Sequence, residues 1–305
     1  MVNLHDFIVQ SKHYQKFEVD DLLFVEYTCL VNDSRSEIWS HTNYFAYVLG
    51  GKKMWRTSKN VYLIKNKDLI FVKKGATSVY QYFEDQFYVL FVFIPDDFIT
   101  KVIKKHGARS KSTKTILKEE TDNVIVLNPN EIFSNYFDSL LLYFRQHNPP
   151  AKALLTTKLE ELILSMLHYG TNLEITHYFN EVCSNASLSM QQVMETNFHK
   201  NLSQREFARL CARSLSAFKR DFTNLYRNSP GRWLTEKRLE YSKYLLEITH
   251  MDIDEIIVES GFANMSHFIR VFKEKFGITP YQFRKTEQRR HVGSLNQAIH
   301  FSGSL

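Results

Sequence analysis

Towards its C-terminus the 305-residue chain reads Gly261-Phe-Ala-Asn-Met-Ser-His-Phe-Ile-Arg-Val-Phe-Lys-Glu-Lys-Phe-Gly-Ile-Thr-Pro280. Phe268 and Phe272 are four residues apart, so on a helix they share one face and predict its buried side. The opposite face carries residues that can contact base edges: Met265, Ser266, Ile269, Arg270 and Lys273. Such a helix is typical of a major-groove reader, because Arg can bond to guanine and Met or Ile can touch a thymine methyl.

A second copy of this pattern lies 50 residues earlier in the chain. The positions Phe268, Arg270 and Phe272 repeat Phe218, Arg220 and Phe222. Each copy is preceded by a helix-start signature, a capping side chain followed three residues later by glutamate. The signature pairs are Ser203 with Glu206, and Asp252 with Glu255. In the first copy the outward-facing residues are Ser216, Lys219, Arg220 and Thr223. Two units in register predict a pair of helix-turn-helix modules.

A long helix is predicted between the two modules. It opens at Ser229-Pro230, where proline suits the first turn, and its apolar residues are expected to pack in the core: Trp233, Leu234, Leu239, Leu245 and Leu246. This helix is expected to hold two reading heads about one duplex turn, roughly 34 Å, apart. Short turns precede the reading helices, Cys211-Ala212-Arg213 and Ser260-Gly261-Phe262. Gly261 suits the left-handed backbone that such a turn often needs.

The excess positive charge is confined to the same part of the chain. Residues 1–187 contain 21 Lys and Arg and 21 Asp and Glu, whereas residues 188–290 contain 18 basic and 12 acidic residues. The whole net charge of +6 therefore belongs to the second segment. An ordinary solvated surface can also be basic, so charge alone leaves the function open. Together with the paired helices, it favours double-stranded DNA as the partner.

The stretch 261–280, followed by Tyr281-Gln-Phe-Arg284, resembles the AraC/XylS family of transcription regulators, and the resemblance covers about residues 190–287. It implies recognition helices that begin near Ser214 and Asn264. It implies base-reading positions at Ser216, Lys219, Arg220, Met265, Ser266 and Arg270. It also implies an activator that acts with RNA polymerase, and a homodimer. Two departures stand out: Tyr226-Arg227-Asn228 lacks the glycine usual after the first recognition helix, and Ile257 replaces a usual alanine.

The first part of the chain has the pattern of a small β domain. Between Phe24 and Ile94, short apolar runs end at turn signals about every 8–12 residues, which predicts a sandwich or small barrel. The segment is similar to the cupin-type sensing barrel of the same family. The residues that carry this similarity are Leu49-Gly50-Gly51, Asp68-Leu-Ile-Phe-Val and Gly75. A helix is expected over 96–106. Amphipathic helices are expected over 130–147 and 154–167, and they either form a dimer seam or pack within the chain.

We therefore predict an α+β protein of two domains. Residues 1–170 are expected to form a cupin-like β-barrel with a helical hairpin, for sensing and dimerisation. Residues 190–290 are expected to form an all-α double helix-turn-helix domain. The polar segment 171–189 is expected to be a linker, in which 175–183 can hold a short helix. Residues 291–305 are expected to be a flexible tail.

No catalytic residue, cofactor or metal is predicted. Enzymatic cupins bind metal through a His-x-His pair and a carboxylate, and His41 near Trp39 has no such neighbour in sequence. The three cysteines are too scattered for a zinc cluster or a disulfide framework: Cys29, Cys183 and Cys211. Neither a membrane span nor a secretory signal is indicated. These features favour a cytoplasmic protein that is not an enzyme.

Control of the DNA-binding domain has two open explanations. A small-molecule effector can enter the barrel. Five aromatic residues either line its pocket or fill the core: Tyr44, Tyr47, Trp55, Tyr80 and Tyr82. Alternatively a regulatory protein acts on the domain, because the stretch 149–164 is similar to a branch of the family that includes type III secretion activators. A cupin enzyme fused to a DNA-binding module is disfavoured by the missing ligands. We predict a sequence-specific transcription regulator, controlled by an effector.

Overall fold

The computed structural model describes residues 1–29, 35–57, 60–81, 86–107, 122–127, 130–169, 172–184 and 190–286. The expected tail at 291–305 lies outside the described residues. The chain divides into two compact units, which we call unit 1 (Met1–Ser189) and unit 2 (Met190–Leu305). No helix in the described segments has the length and hydropathy needed to cross a bilayer.

Unit 1 is built on two β-sheets. The five-stranded sheet has the order β1-β4-β9-β6-β7, and the six-stranded sheet has the order β11-β8-β5-β10-β3-β2. The strands are β1 (Val2–Asn3), β2 (Gln15–Val19), β3 (Leu22–Thr28), β4 (Arg35–Ser40), β5 (Asn43–Gly50), β6 (Lys52–Arg56), β7 (Val61–Lys65), β8 (Leu69–Val72), β9 (Gly75–Gln81), β10 (Tyr88–Ile94) and β11 (Val124–Leu127). All their pairings are antiparallel except that of β1 with β4. The two-sheet arrangement agrees with the expected sandwich or small barrel.

The six-stranded sheet is buried on both faces, which explains its continuous apolar runs. In β10, Phe91 and Phe93 point into a core shared with the five-stranded sheet, whereas Leu90 and Val92 point into a second core shared with helices. This alternation follows from the two-residue period of a strand. Among the aromatics expected to line a pocket or fill the core, Tyr44, Tyr47 and Trp55 are buried core residues. The side chains of Tyr80 and Tyr82 lie outside the description.

Helices cover the outer face of the six-stranded sheet. They are α2 (Asp96–His106), α3 (Glu131–Phe144), α4 (Lys152–Tyr169) and α5 (Leu173–Cys183), and a shorter α1 (Leu4–Gln10) follows β1. The helix expected over 96–106 is confirmed. The apolar faces of α3 and α4 are buried in the second core, through residues such as Phe137, Leu140, Leu159 and Leu162. Of the two explanations for these faces, packing within the chain accounts for most of their apolar residues.

The expected linker at 171–189 requires correction where α5 occupies it. The apolar residues of α5 belong to the core of unit 1: Ile175, Tyr178, Phe179 and Val182. Their spacing is that of a buried helix stripe, and burying it outweighs the polar residues around it. The Tyr178 hydroxyl also lies 2.8 Å from Asn43 Oδ1 and 2.9 Å from Asp96 Oδ1. α5 therefore anchors to the start of β5 and of α2.

The described residues of unit 2 form helices joined by turns and loops, without a strand. Its helices are α6 (Met190–Asn197), α7 (Gln204–Leu210), α8 (Leu215–Tyr226), α9 (Pro230–Ile248), α10 (Ile253–Glu259) and α11 (Met265–Phe276), and residues 280–286 are also helical. The fold class predicted from the sequence, an α+β protein with an all-α second domain, is confirmed.

Candidate nucleic-acid interface

Both helix-turn-helix units open with the predicted caps. The Ser203 hydroxyl accepts from the Glu206 backbone N–H at 3.3 Å, and the Ser203 N–H donates to Glu206 Oε2 at 2.6 Å. The Asp252 N–H donates to Glu255 Oε2 at 2.9 Å. These bonds satisfy N–H groups that a helix start leaves without partners, so α7 and α10 begin at fixed residues.

The recognition helices begin where the sequence places them. Ser214 caps α8 by accepting from the Ala217 N–H at 3.2 Å, and Asn264 caps α11 by accepting from the His267 N–H at 2.8 Å. A capped start presents the first turn of each helix in one orientation. That turn is the part of a recognition helix that contacts base edges in this class of motif.

The faces of α8 and α11 divide as expected. Phe218, Phe222, Phe268 and Phe272 are fully buried. The six predicted base-reading residues are all exposed: Ser216, Lys219, Arg220, Met265, Ser266 and Arg270. Their positions on the exposed faces are consistent with base reading, and their contacts with bases remain a prediction.

The two arginines on these faces are held by carboxylates on their own helices. Arg220 Nε lies 3.1 Å from Asp221 Oδ1, and Arg270 Nη1 lies 2.8 Å from Glu274 Oε1. Arg213, in the turn before α8, contacts the other oxygen of Asp221 at 3.0 Å. Hydrogen bonds from Arg220 and then Arg213 lower the pKa of Asp221. Exposed ion pairs are weak, so both guanidinium groups can exchange a carboxylate for a guanine edge.

Arg213, in the turn before α8, is a further candidate for the nucleic-acid interface, and its contact with Asp221 could not be predicted from the sequence. Its partner Asp221 is eight residues away, outside the three- and four-residue spacings that helix rules recognise. The sequence feature that could have identified Arg213 is the presence of a basic residue in the turn itself. The turn places Arg213 beside the exposed face of α8, where it supports the orientation of Asp221.

The missing glycine after the first recognition helix does not change how the helix ends. Arg227 adopts a left-handed conformation with φ of 52°, and Gly277 does so with φ of 82° at the equivalent position after α11. In both helices the capping N–H donates four residues back, to Thr223 and Lys273 respectively. Arg227 therefore accepts backbone strain that glycine avoids, and the two helices end alike.

The long helix α9 joins the two modules as predicted. Its 19 residues span about 28 Å at the usual rise per residue. Trp233 packs against Phe222 and Tyr226 of the first module, with ring centroids 5.8 and 5.1 Å apart. Leu245 and Leu246 belong to the core of the second module. The helix thus contributes to both cores.

A buried contact, which we call the interlock, ties the first module to the second. It consists of the loop 198–200, Arg238 on α9 and Gly261 in the turn before α11. Arg238 donates to the carbonyl oxygens of Phe198 and Lys200, both at 2.7 Å. A Cβ at position 261 would lie 2.7 Å from the His199 carbonyl oxygen and 3.1 Å from Arg238 Nε. Gly261, with φ of 83°, is needed both for its backbone conformation and for this close approach.

Replacing this glycine is expected to destabilise unit 2. Gly261→Ala should lower the free energy of unfolding by about 1–3 kcal/mol from backbone strain alone, and further through overlap with the His199 carbonyl. Thermal and urea unfolding of the full chain measure the loss. Ala212, with φ of 51° in the first module's turn, offers the matched control. Ala212→Gly should be neutral or stabilising, and equal stability of G261A and wild type would contradict the role of the interlock.

The chain matches two family models. One is described as the ExsA N-terminal regulatory domain and matches residues 43–178; the other is described as a helix-turn-helix domain and matches residues 207–286. The first match runs from the start of β5 into α5, and the second runs from within α7 to the last described residue of unit 2.

Curated relatives of similar length are transcription regulators. The virulence regulon transcriptional activator VirF of Yersinia enterocolitica is 25% identical over 246 residues, covering 79% of this chain and 88% of VirF. The HTH-type transcriptional regulator ExsA of Pseudomonas aeruginosa is 24% identical over 218 residues, covering 72% of this chain and 77% of ExsA. A solved structure of apo ToxT from Vibrio cholerae aligns over 86% of this chain and 96% of its own, with 14% identity and a TM-score of 0.40.

Proposed function

Because this chain belongs to the AraC/XylS family of transcription regulators, we propose that it reads DNA by placing α8 and α11 in successive major grooves. It is a DNA-binding regulator of the activator type represented by VirF and ExsA. The base-reading residues we assign are Ser216, Lys219 and Arg220 on α8, and Met265, Ser266 and Arg270 on α11. We assign no catalytic residue, cofactor or metal to this activity.

One observation carries the proposal. Two recognition helices in the same unit each bury an aromatic pair and expose an arginine six residues after the capping residue. α9 joins the two modules, so their separation is set by a continuous helix and by the interlock. A fixed separation suits a site with two half-sites about one duplex turn apart.

The charge of unit 2 supports a DNA backbone contact. The basic excess of the chain lies in residues 188–290. Phosphate neutralisation by Lys and Arg releases counterions, so affinity should fall steeply between about 50 and 200 mM salt. Base discrimination then depends on the few side chains of α8 and α11 that reach the groove.

Unit 1 is proposed to regulate unit 2. The family model that matches it is described as a regulatory domain. Two kinds of control are open, one by a small-molecule effector and one by a regulatory protein. We further propose that the protein acts as a homodimer on RNA polymerase in the cytoplasm. The core aromatics of unit 1 are packed, whereas a surface groove of about 590 Å³ runs along α4. The groove offers one surface on which either control can act.

Selection of genomic DNA fragments by the purified full-length protein tests the function. The bound pool is sequenced with and without an extract of small metabolites. Two short enriched blocks about one helical turn apart are expected. An extract-dependent change would favour a small effector over a regulatory protein.

Absence of enrichment is resolved by repeating the selection with a partially purified cell extract that contains proteins. Enrichment that appears only then would assign control to a protein partner. No enriched sequence under any condition, or binding that is insensitive to salt, would refute the proposed function.

A further inference from the structure

Three metal-ligating side chains meet near the N-terminus of unit 1. His5, Asp6 and His41 each offer a ligand atom, and these atoms all lie within 4.8 Å of one another. All three residues are half-buried. In sequence His41 has no ligand beside it, but in space its neighbours come from a segment 35 residues earlier in the chain.

The parallel pairing of β1 with β4 creates this cluster. Val2 pairs with Ile38, and Asn3 pairs with Trp39. α1 starts at the next residue, so His5 and Asp6 occupy its first turn, while His41 follows the end of β4. Because both segments leave the same sheet edge together, the three side chains converge.

The distances between ligand atoms in the cluster are close to the distances between the ligands of a bound metal ion. His5 Nδ1 and His41 Nδ1 lie 3.6 and 4.0 Å from Asp6 Oδ1. The two imidazole rings meet edge to face, with centroids 4.8 Å apart. Ligands bound at about 2.0–2.2 Å lie roughly 3–3.5 Å from one another. Side-chain movement on the order of 1 Å closes the set around an ion.

Surrounding contacts already orient these ligands. The His5 ring packs edge to face on Phe93, with centroids 5.2 Å apart. The Asn3 side-chain oxygen caps α1 by accepting from the Asp6 N–H at 2.9 Å, which places Asp6 in the first turn. The Asn3 nitrogen lies 3.3 Å from His41 Nδ1, and an ion bound at that ring nitrogen replaces this contact. Contacts that hold a ligand side chain in place favour metal binding.

We propose that His5, Asp6 and His41 bind a divalent transition-metal ion of the zinc type. Two imidazoles and one carboxylate suit Zn²⁺, Co²⁺ or Ni²⁺ and are unlike the all-oxygen sites of Ca²⁺ and Mg²⁺. Water completes the coordination, since the residues are only half-buried. A bound ion joins α1 to the end of β4 and so fastens the N-terminal segment to the sheet.

Metal titration of the tag-free, chelator-treated full chain tests this site. We expect one equivalent of Zn²⁺ by calorimetry, and Co²⁺ absorption bands without the charge-transfer band of a thiolate. Added Zn²⁺ should slow hydrogen exchange in α1 of the wild-type protein. His41→Gln and Asp6→Asn should each weaken binding by at least about 100-fold, more than the loss of an outer contact.

His106 provides the control. It lies 3.3 Å from Glu160 Oε2 on another surface of unit 1, and His106→Gln should bind Zn²⁺ as the wild type does. Sub-stoichiometric binding, unchanged exchange in α1, or equal binding by H41Q and wild type would overturn the proposal. DNA selection tests the recognition helices of unit 2, so its result is independent of the metal titration of unit 1.

Discussion

Acidification from pH 6 to pH 4.5 is expected to lower the free energy of unfolding of unit 2 by about 2 kcal/mol through one residue, His199. Burial, together with the charges of Lys200 and Arg238, lowers the pKa of His199 from 6.5 to about 3. The unfolded chain takes up this proton below pH 6.5, whereas the folded chain does not until the pH approaches 3. The unfolded state therefore holds more protons in this window, and the free energy of unfolding decreases as the pH is lowered.

Hydrogen exchange in α9 peptides of the full chain, followed across this range, measures the effect. His199→Gln removes the titrating group and should flatten the pH dependence relative to wild type, although carboxylates still contribute to both proteins. His250, an exposed residue after α9, supplies the control, and H250Q should keep the wild-type slope. Parallel pH profiles for wild type and H199Q would show that the buried imidazole is not responsible.

Arg220→Ala and Arg270→Ala are each expected to remove about 1–3 kcal/mol of discrimination at one base position. The expected loss is confined to the half-site read by the mutated helix, because the two arginines lie on α8 and α11 of separate modules. The double variant should lose both preferences roughly additively. Sequencing of the DNA pools selected by each variant gives the preference at every position.

A matched arginine off the reading faces separates base contact from general charge. Arg205 is exposed on α7, and Arg205→Ala removes the same charge without touching α8 or α11. It should leave every base preference unchanged. If R220A and R270A retained the wild-type preferences, the assignment of these two arginines would be refuted.

The elements of unit 2 could be predicted from sequence because their signals are local. Ser214 and Asn264 cap helices within three residues, and Phe218 with Phe222 fixes a buried face within four. Local rules of this kind place the exposed residues Arg220 and Arg270 correctly on the same helices. The contact of Gly261 with the loop 198–200 could not be predicted, since it joins segments about 60 residues apart.

The missed features of unit 1 depend on long-range pairing. His5 and His41 meet only because β1 pairs in parallel with β4, and two residues of strand carry no recognisable period. α5 was expected to lie partly in a linker because polar residues flank it. Its anchoring bonds run from Tyr178 to Asn43 and Asp96, more than 80 residues away in sequence. Sequence patterns report faces of helices and strands, whereas these contacts depend on how the faces meet.

The interlock restricts how such a regulator can be recombined. A chimera that takes residues 249–286 from another protein receives a turn whose glycine must fit the host's loop 198–200 and Arg238. A donor that evolved against a different loop would bring a mismatched surface, although its recognition helix remained intact. Operator preference is therefore expected to be transferable as a pair of modules together with α9, and not one module at a time.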